Sequence, residues 1–540
     1  MRRLLAFAAL AASLAACTQT GTGGGAPSGT EHGTLRVAIQ SDFKNLNPLL
    51  TSNTTDALAE RFMFVPLLAA DAKANPIPML AASVPTQSNG GISKDGLTIT
   101  YHLRRDVKWT DGVPVTAADV KWTWQAMMNP DNNVVTRHGY DDVKSIDTPD
   151  PATVVVHLKN RFSPFINTFF ADSDAPYAIA PAHVLSKYPN INQIPFNSDP
   201  SVSDGPFKFV RWVHGDHVEL ASNDRFFLGK PGLQHIYLRI IPDENTTVNL
   251  LRTHEIDWMF EASIDNYPSI QSVPGVRIAW DEINGYEDVQ LNVSRPYLQD
   301  TRVRDAVAYG IDKKRLIQTS TYGQQRIATE DQPPFMWSFD PNVPLVPFDP
   351  AKARALLESA GWTPGPDGIM TKNGQRLTLV MVSNNSNRTR RKNSVVIQAS
   401  LRQAGIEVQI KYFPGDVLFA PAGEGGILQS GKFDLSLAGW SAGIDPDDST
   451  QFTCANLAPA GYNYSRYCNP DMEAAQKTAL ENYDQPTRKK AYSLIQHYLY
   501  RDKPMLFLWW QRFMQPVNVD FKGFSPNPAI ENWNSWQWSI

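Results

Sequence analysis

The sequence predicts an α/β protein built from two or more lobes. The chain has 540 residues, which is more than one hydrophobic core usually organises. Alternating apolar patterns typical of strands occur between patterns with helical spacing along the chain, and this mixture favours α/β lobes over a sandwich or a bundle. No segment repeats at a fixed period. Apolar residues make up 42% of the chain, enough to offset the entropy lost on folding.

The N-terminus has the features of an export signal. Arg2 and Arg3 precede a stretch of 11 residues, 4–14, that is apolar except for Ser13, as in a secretory signal peptide. This stretch is shorter than the ~20 residues that span a bilayer as a helix. We therefore expect residues 1–16 to be a signal peptide and the mature chain to have no transmembrane helix.

The end of this leader resembles the lipobox of bacterial lipoproteins. It runs Leu14-Ala15-Ala16-Cys17, and in that resemblance cleavage before Cys17 follows acylation of its sulfur. An ordinary cleavage site with an incidental cysteine is the alternative. Residues 17–33 are polar and rich in glycine, so we expect a lipidated, flexible tether between the membrane and the fold.

The first elements of the folded part follow from apolar spacing. Residues 35–39 and 154–158 are short apolar runs that predict strands, and residues 97–103 alternate as a half-buried strand does. Thr116 with Asp119 three residues later predicts a capped helix.

Later elements follow the same rules. Asp300 precedes apolar residues at helical spacing, and Asp349-Pro350 opens a second helix that Gly361 ends. Residues 377–382 and 433–438 predict buried strands.

The two remaining cysteines, Cys454 and Cys468, predict one disulfide that closes a surface loop. They lie 14 residues apart in a segment rich in Gly, Asn and Pro, and an exported chain meets oxidising conditions. Two free thiols are the alternative. No histidine lies near them, so we expect no metal site there.

Charge excludes one class of partner. The chain has 50 Lys and Arg against 54 Asp and Glu, a formal charge of −4, and no basic stripe follows the sequence. Binding to a nucleic acid backbone needs such a stripe, so nucleic acid is not an expected partner. No metal or cofactor motif occurs, and no cofactor is expected.

One motif suggests an enzyme. Residues 439–443 match G-x-S-x-G around Ser441, with His497 downstream, as in a lipid-anchored serine hydrolase. The motif needs a helix directly after the serine, whereas residues 444–448 predict a turn and His497 falls in a predicted helix, 492–500. A binding protein is therefore expected, with the hydrolase as the alternative.

Six segments together resemble a known family, the extracytoplasmic solute-binding proteins of ABC importers that bind peptides and nickel, family 5. The segments, in family order, are 101–124, 203–212, 238–260, 291–317, 349–362 and 437–448.

The resemblance implies a two-lobed, periplasmic-binding-protein-like fold of type II, with an extra subdomain on lobe I and two hinge crossings. We expect lobe I at 34–74, 201–290 and 509–540, the extra subdomain at 75–200, and lobe II at 291–508. Apolar residues at 291–293 and 505–508 are candidate crossings.

The same resemblance implies the function. We expect a non-enzymatic, monomeric lipoprotein outside the cytoplasm, in the periplasm or on the outer cell surface. It would capture an oligopeptide and deliver it to an ABC permease with its ATPase subunits. A nickel chelate, an opine, a sugar or haem are alternative ligands.

The loop at 439–448 (the Trp440 loop) is the first candidate for ligand binding. In peptide-binding relatives its tryptophan forms a wall of the cleft, so Trp440, Ser441 and Gly443 are candidates; core packing of Trp440 is the alternative. Relatives place an aspartate two or three residues later to bind the ligand's ammonium group. Here the first acid is Asp445, which either takes that role or only shapes the turn.

The other candidates are Asn384, Asn387 and Arg388, where relatives contact the carboxyl side of the ligand, and Asn292 and Trp509 at the crossings. A guanidinium group suits a carboxylate. A solvated helix cap is the alternative for residues 384–388.

Replacement of Cys17 tests the anchor. Acyl chains contribute about 0.8 kcal/mol per buried CH₂, so Cys17→Ser should move the protein to the soluble fraction or leave it unprocessed, as cell fractionation would show. A Cys17→Ser form that stays tightly bound to membranes would contradict the lipoprotein prediction.

Overall fold

The computed structural model describes residues 30–171 and 177–540; the predicted signal peptide and Cys17 lie outside these ranges. Within them, the strands are β1 (Thr34–Ile39), β2 (Leu68–Ala70), β3 (Pro76–Pro78), β4 (Thr98–His102), β5 (Val143–Asp150), β6 (Thr153–Leu158), β7 (Phe207–Val213), β8 (His217–Ser222), β9 (His235–Ile240), β10 (Trp258–Met259), β11 (Val276–Leu291), β12 (Arg326–Ile327), β13 (Thr363–Pro364), β14 (Met370–Lys372), β15 (Gln375–Arg376), β16 (Thr378–Asn384), β17 (Glu407–Phe413), β18 (Leu435–Ser441) and β19 (Met505–Asn518).

The α-helices of the same two ranges are α1 (Thr54–Met63), α2 (Ala117–Met128), α3 (Phe165–Thr168), α4 (Ala182–Leu185), α5 (Glu244–Arg252), α6 (Tyr267–Ile270), α7 (Thr301–Tyr309), α8 (Lys313–Thr321), α9 (Pro350–Ser359), α10 (Arg388–Gln403), α11 (Gly415–Leu418), α12 (Ser449–Phe452), α13 (Pro470–Glu481) and α14 (Gln485–Asp502).

A single sheet extends through both lobes. Among the described residues, eleven strands pair in the order β17-β16-β18-β11-β19-β10-β1-β9-β8-β7, with β12 also paired to β19. Strands β1 and β7 to β10 belong to lobe I, and β16 to β18 belong to lobe II. The predicted α/β class and two-lobed fold are confirmed by this arrangement and by the structural relatives reported below.

Two long antiparallel strands, β11 and β19, connect the lobes. They pair from Val276 opposite Asn518 to Gln290 opposite Met505. The first part of β11 pairs with β19 alone, and the segment of β19 opposite it also pairs with β10 of lobe I. From Gly285 onward, β11 pairs with β19 on one side and with β18 of lobe II on the other. The register of β11 against β19 shifts between these two parts.

The change of lobe therefore falls near residues 283–285, in the middle of both strands. The predicted crossings, 291–293 and 505–508, lie instead at the lobe II ends of these strands. A run of apolar residues indicates a buried strand but does not show which strands pair with it. The position of the crossing depends on that pairing, so the apolar runs could not locate it.

The extra subdomain shares its core with lobe I. Its sheet has the order β4-β6-β5, and α2 begins at the predicted capping box of Thr116 and Asp119. One buried apolar cluster includes Val37 of β1, Phe169 of the subdomain and Trp538 near the C-terminus. The Trp538 ring packs against those of Phe62 and Trp258, so the end of the chain belongs to this shared core.

Lobe II has a separate core between β16 to β18 and the helices α7, α9 and α10. The side chains of Asp300 and Asp349 accept backbone hydrogen bonds at the starts of α7 and α9, as their sequence positions predict. Cys454 and Cys468 form a disulfide in the segment between α12 and α13.

Gly285 gives a test of the crossing. A Cβ atom there would lie 2.8 Å from the carbonyl oxygen of Trp440, so β11 and β18 would have to separate. We expect Gly285→Ala to destabilise the protein by about 1–3 kcal/mol, measured by urea denaturation. Gly423→Ala is the matched control, because nothing lies within 4 Å of its Cβ position; equal stability of the two variants would contradict the close approach.

Candidate functional site

A cavity of about 450 Å³ lies where the two lobes meet, and we call it the interlobe cavity. Its lining residues come from distant parts of the chain. They are Thr51, Ser52, Asn53, Thr54, Ala57, Leu58, Val135, Thr136, Tyr177, Glu261, Asp281, Ile283, Ser441, Ala442, Gly443, Phe513, Pro528, Ala529, Ile530 and Glu531.

Each wall of the interlobe cavity is held by an element of the fold. The segment 51–54 leads into α1, whose start is capped by Asn53. Ile283 and Phe513 are on the crossing strands β11 and β19, and residues 528–531 belong to the C-terminal return to lobe I. Residues 441–443 come from lobe II, so the wall includes both lobes and both crossings.

The Trp440 loop is fixed against the crossing strand β11. Trp440 pairs with Tyr286 and Ser441 with Gly285. Past the end of β18, the backbone N–H of Ala442 donates to the carbonyl of Asn284 at 2.8 Å, and the side-chain amide of Asn284 donates to the carbonyl of Gly443 at 2.8 Å. Pairing with β11 and these two hydrogen bonds thus hold residues 441–443 at the cavity.

Trp440 is half-buried and lies beside the interlobe cavity. Its ring centroid is 5.8 Å from that of Tyr462. It lines a smaller adjoining pocket of about 60 Å³ together with His138, Asn167 and Asp445. Ser441 and Gly443 thus line the interlobe cavity, and Trp440 and Asp445 line only the adjoining pocket. Trp440 also packs against the buried cluster that contains Tyr286 and Phe507, and ligand binding by these four residues stays a prediction.

The arrangement around Ser441 is not that of a hydrolase. The Ser441 hydroxyl is 3.3 Å from Oε1 of Gln511, an amide rather than an imidazole. His497 lies in α14, is exposed, and forms an ion pair with Asp340 at 3.3 Å. A catalytic serine needs a base within hydrogen-bonding reach.

Asp445 is already paired within the protein. Its oxygens accept from Arg488 at 2.6 and 3.1 Å and from Asn167 at 3.0 Å. Both side chains of the ion pair are 8% exposed. Burial lowers the pKa of Arg488, but attraction to Asp445 outweighs this and keeps its pKa above the ordinary value. Asp445 thus offers no free negative charge to a ligand, which favours the second of the two predicted alternatives, that it shapes the turn.

The segment 384–388 forms a helix cap, which was the alternative in the sequence analysis. Asn387 Oδ1 accepts from the backbone N–H of Arg390 at 2.9 Å, and Asn384 Oδ1 accepts from that of Ser386 at 2.8 Å. The side chain of Arg388 is 74% exposed and lies 3.5 Å from Asp265 of lobe I. None of the three predicted residues lines the interlobe cavity.

The predicted crossing residues Asn292 and Trp509 are buried inside lobe II. Asn292 donates to the carbonyls of Gly431 and Phe433 at 3.2 and 3.1 Å, and Trp509, 3% exposed, packs in the lobe II core. Because the lobe change lies in the middle of the two strands, Ile283 and Phe513 line the cavity instead.

Three cavity carboxyls were not found from the sequence. Glu261, Asp281 and Glu531 (the acidic triad) all line the interlobe cavity. Burial is the main reason that the pKa values of Glu261 and Asp281 are raised to about 8. The nearby carboxyl of Glu531 also raises the pKa of Glu261, and that of Glu261 also raises the pKa of Asp281. Burial also raises the pKa of Glu531 well above its usual range. The three acids are far apart in the chain and belong to no common sequence motif, so their proximity could not be predicted from the sequence.

Gln515 connects these acids to the sheet. It is fully buried on β19; its Oε1 accepts from the Trp258 indole at 2.9 Å and the Glu261 backbone N–H at 3.0 Å, and its Nε2 donates to Glu531 at 3.3 Å. Glu261 has a φ of 45°, a left-handed conformation that is uncommon for residues with a side chain. The acids are thus held in place by the crossing strand.

The family model for the middle part of the bacterial extracellular solute-binding proteins, family 5, matches residues 75–461. The chain belongs to this family. It is similar to the glutathione-binding protein GsiB of Pectobacterium atrosepticum, with 28% identity over 498 residues, 91% of each chain.

Solved structures of this family have the same fold. The oligopeptide-binding protein AppA from Bacillus subtilis, in complex with a nonapeptide, matches with a TM-score of 0.73 and 25% identity over 94% of this chain and 98% of its own. NikZ from Campylobacter jejuni, in complex with Ni(L-His), matches with a TM-score of 0.76 and 26% identity over 95% and 100%. These relatives are solute-binding proteins and not enzymes, so the hydrolase alternative is excluded.

Two features are absent from the described ranges, 30–171 and 177–540. No helix there is long and apolar enough to cross a membrane. No group of three or more His, Cys, Asp or Glu side chains there is arranged to hold a metal ion.

The pair of Asp445 and Arg488 gives a stability test. Arg488→Met leaves a buried carboxylate without its partner, so we expect the free energy of unfolding to fall by about 3–5 kcal/mol, measured by urea denaturation. The double variant Arg488→Met/Asp445→Asn removes the unpaired charge and should recover part of the loss. If the double variant is no more stable than Arg488→Met, the assigned pairing is contradicted.

Proposed function

We propose that this protein is the lipid-anchored receptor of an ABC importer, capturing an extracytoplasmic oligopeptide by closure of its two lobes. The observation that carries the proposal is the interlobe cavity, whose wall combines residues of lobe I, lobe II and both crossing strands. A ligand that touches all of these walls binds the closed arrangement better than an open one, and therefore drives closure.

The size and lining of the cavity suit an oligopeptide. Its volume of about 450 Å³ lies within the roughly 300–1,000 Å³ of small-molecule sites, which combine apolar walls with a few polar groups. Leu58, Ile283, Phe513 and Ile530 provide apolar surface. AppA, a relative, binds a nonapeptide. The Ni(L-His) of NikZ makes a nickel chelate the main alternative ligand.

The contacts between the lobes suit a hinge. In the described part of the chain, the backbone passes between the lobes only in β11 and β19. Other contacts join side chains or loops: Lys392 of lobe II pairs with Asp265 of lobe I at 2.5 Å, and the Tyr483 hydroxyl donates to the Gly96 carbonyl of the subdomain at 3.0 Å. Further contacts are the hydrogen bond from the Ser163 backbone N–H to the Leu480 carbonyl at 2.7 Å and the buried cluster of Ala70, Ala74, Met336 and Ile444. Opening therefore breaks these contacts and changes dihedral angles in two strands.

The remaining parts of the proposal rest on the sequence. Acylation at Cys17 would tether the protein to a membrane, and residues 18–33 would let the lobes reach a permease with its ATPase subunits. Nothing in the charge of the chain favours other macromolecular partners, and we propose that the receptor acts as a monomer.

Closure and ligand class can be tested together. Native mass spectrometry of the purified protein should show a co-purified peptide, and solution scattering should show a smaller radius of gyration when peptide is added to ligand-free protein. Gly423→Ala, which changes neither lobe contact nor crossing, is a control that should close like wild type. A nickel chelate as the only co-purified ligand, or no compaction with any peptide, would contradict the proposal.

A further inference from the structure

The acidic triad has no positive partner in the interlobe cavity. Glu261 follows β10, Asp281 lies on β11, and Glu531 comes from the C-terminal return. Among the described residues that line the cavity there is no lysine or arginine. The same part of the chain shows no ion pair to any of the three acids.

Asp281 has hydrogen-bonding capacity left over. It is 2% exposed, it lines the cavity, and within the described ranges its Oδ1 accepts no hydrogen bond. Its carboxyl group interacts with that of Glu531, and Glu261 accepts from the Thr54 hydroxyl at 3.2 Å. A buried acceptor without a donor costs free energy, which a ligand that supplies a donor recovers.

Some other buried acids in this protein are paired with arginines. Asp257 pairs with Arg36 at 2.8 Å, Glu287 with Arg390 at 2.7 Å, and Asp445 with Arg488 at 2.6 Å. In each of these pairs an arginine neutralises the buried carboxylate. Asp204 and Glu330 are also buried without an ion pair among the described residues, but neither lines the interlobe cavity. The acidic triad differs from both groups because it faces that cavity.

We propose that Glu261, Asp281 and Glu531 form the subsite that binds an organic ammonium or guanidinium group of the captured solute. This inference rests on the proposed function and deepens it by naming the chemistry that the cavity recognises. Carboxylates at the cavity wall bind the cationic end of the ligand. The apolar surface of Ile283, Phe513 and Ile530 covers the uncharged part next to it.

An organic cation fits better than a metal ion. Within residues 30–171 and 177–540, no three acidic or histidine side chains converge closely enough to hold a metal. An ammonium or guanidinium group is larger and donates several hydrogen bonds in different directions. It can therefore bind carboxyls that are spread over a cavity wall.

Binding should release protons. With their pKa values near 8, Glu261 and Asp281 are largely protonated in the empty cavity at neutral pH. An entering cation favours the carboxylate form and lowers these pKa values. The other ionisable groups facing them are Glu531, Glu282 and Tyr177, none of which adds positive charge.

Three sources supply this cation, and four probes separate them. Tetra-alanine presents an amino terminus, N-acetyl-Ala-Ala-Lys-Ala amide presents only a lysine side chain, and putrescine is a free amine. N-acetyl tetra-alanine carries no cation and is the control ligand. Each is titrated calorimetrically into wild type in two buffers of different ionisation enthalpy, which measures both affinity and proton release.

We expect at least one cationic probe to bind at least about 30-fold more tightly than the N-acetyl control, with release of protons. In Asp281→Asn and in Glu261→Gln this preference and the proton release should both fall sharply. Glu330→Gln is the matched control: Glu330 is also a buried carboxyl with a raised pKa, about 10, but does not line the cavity. It should behave like wild type.

The outcomes separate this inference from the proposed function. If the peptides bind but none of the three cationic probes binds more tightly than N-acetyl tetra-alanine, the acidic subsite is overturned and the peptide receptor is retained. Binding of putrescine alone, lost in Asp281→Asn, supports the subsite and overturns the peptide receptor. If folded wild type binds none of the four probes, both are overturned. Should Asp281→Asn fail to fold, the half-buried Glu261→Gln gives the same comparison.

Discussion

The antiparallel pairing of β11 with β19 is the constraint on which the rest of the structure depends. These two strands belong to both lobes, so every other strand of the large sheet takes its position from them. The register shift after Glu282 ends one set of pairs and begins another. Because this shift lies at the lobe junction, the same two strands supply the hinge and part of the cavity wall.

The distribution of charge follows from this arrangement. Within the lobes, some buried acids are neutralised by arginines, as Glu287 is by Arg390 and Asp445 by Arg488. At the junction, Gln515 of β19 connects Glu261 and Glu531 without supplying a charge. No lysine or arginine is among the described residues that line the cavity, and the proposed subsite would therefore make the cavity selective for cationic ligands.

The Trp440 loop shows what a family resemblance can and cannot predict about a binding site. The resemblance predicts candidate residues in this loop, and Ser441 and Gly443 line the interlobe cavity. Whether Asp445 is free to meet a ligand could not be read from the sequence, because it depends on Arg488, an arginine on a helix far along the chain. Sequence spacing cannot show which distant cation neutralises an acid.

The sequence by itself determined the local elements and the family. Capping residues such as Asp300 and Asp349, and the alternation in residues 97–103, depend on neighbours a few positions away, and the structure has these elements where they were predicted. Tertiary structure alone decided where the lobes change and which acids meet. Strand register and the convergence of Glu261, Asp281 and Glu531 come from pairings between distant segments, and no local periodicity encodes such pairings.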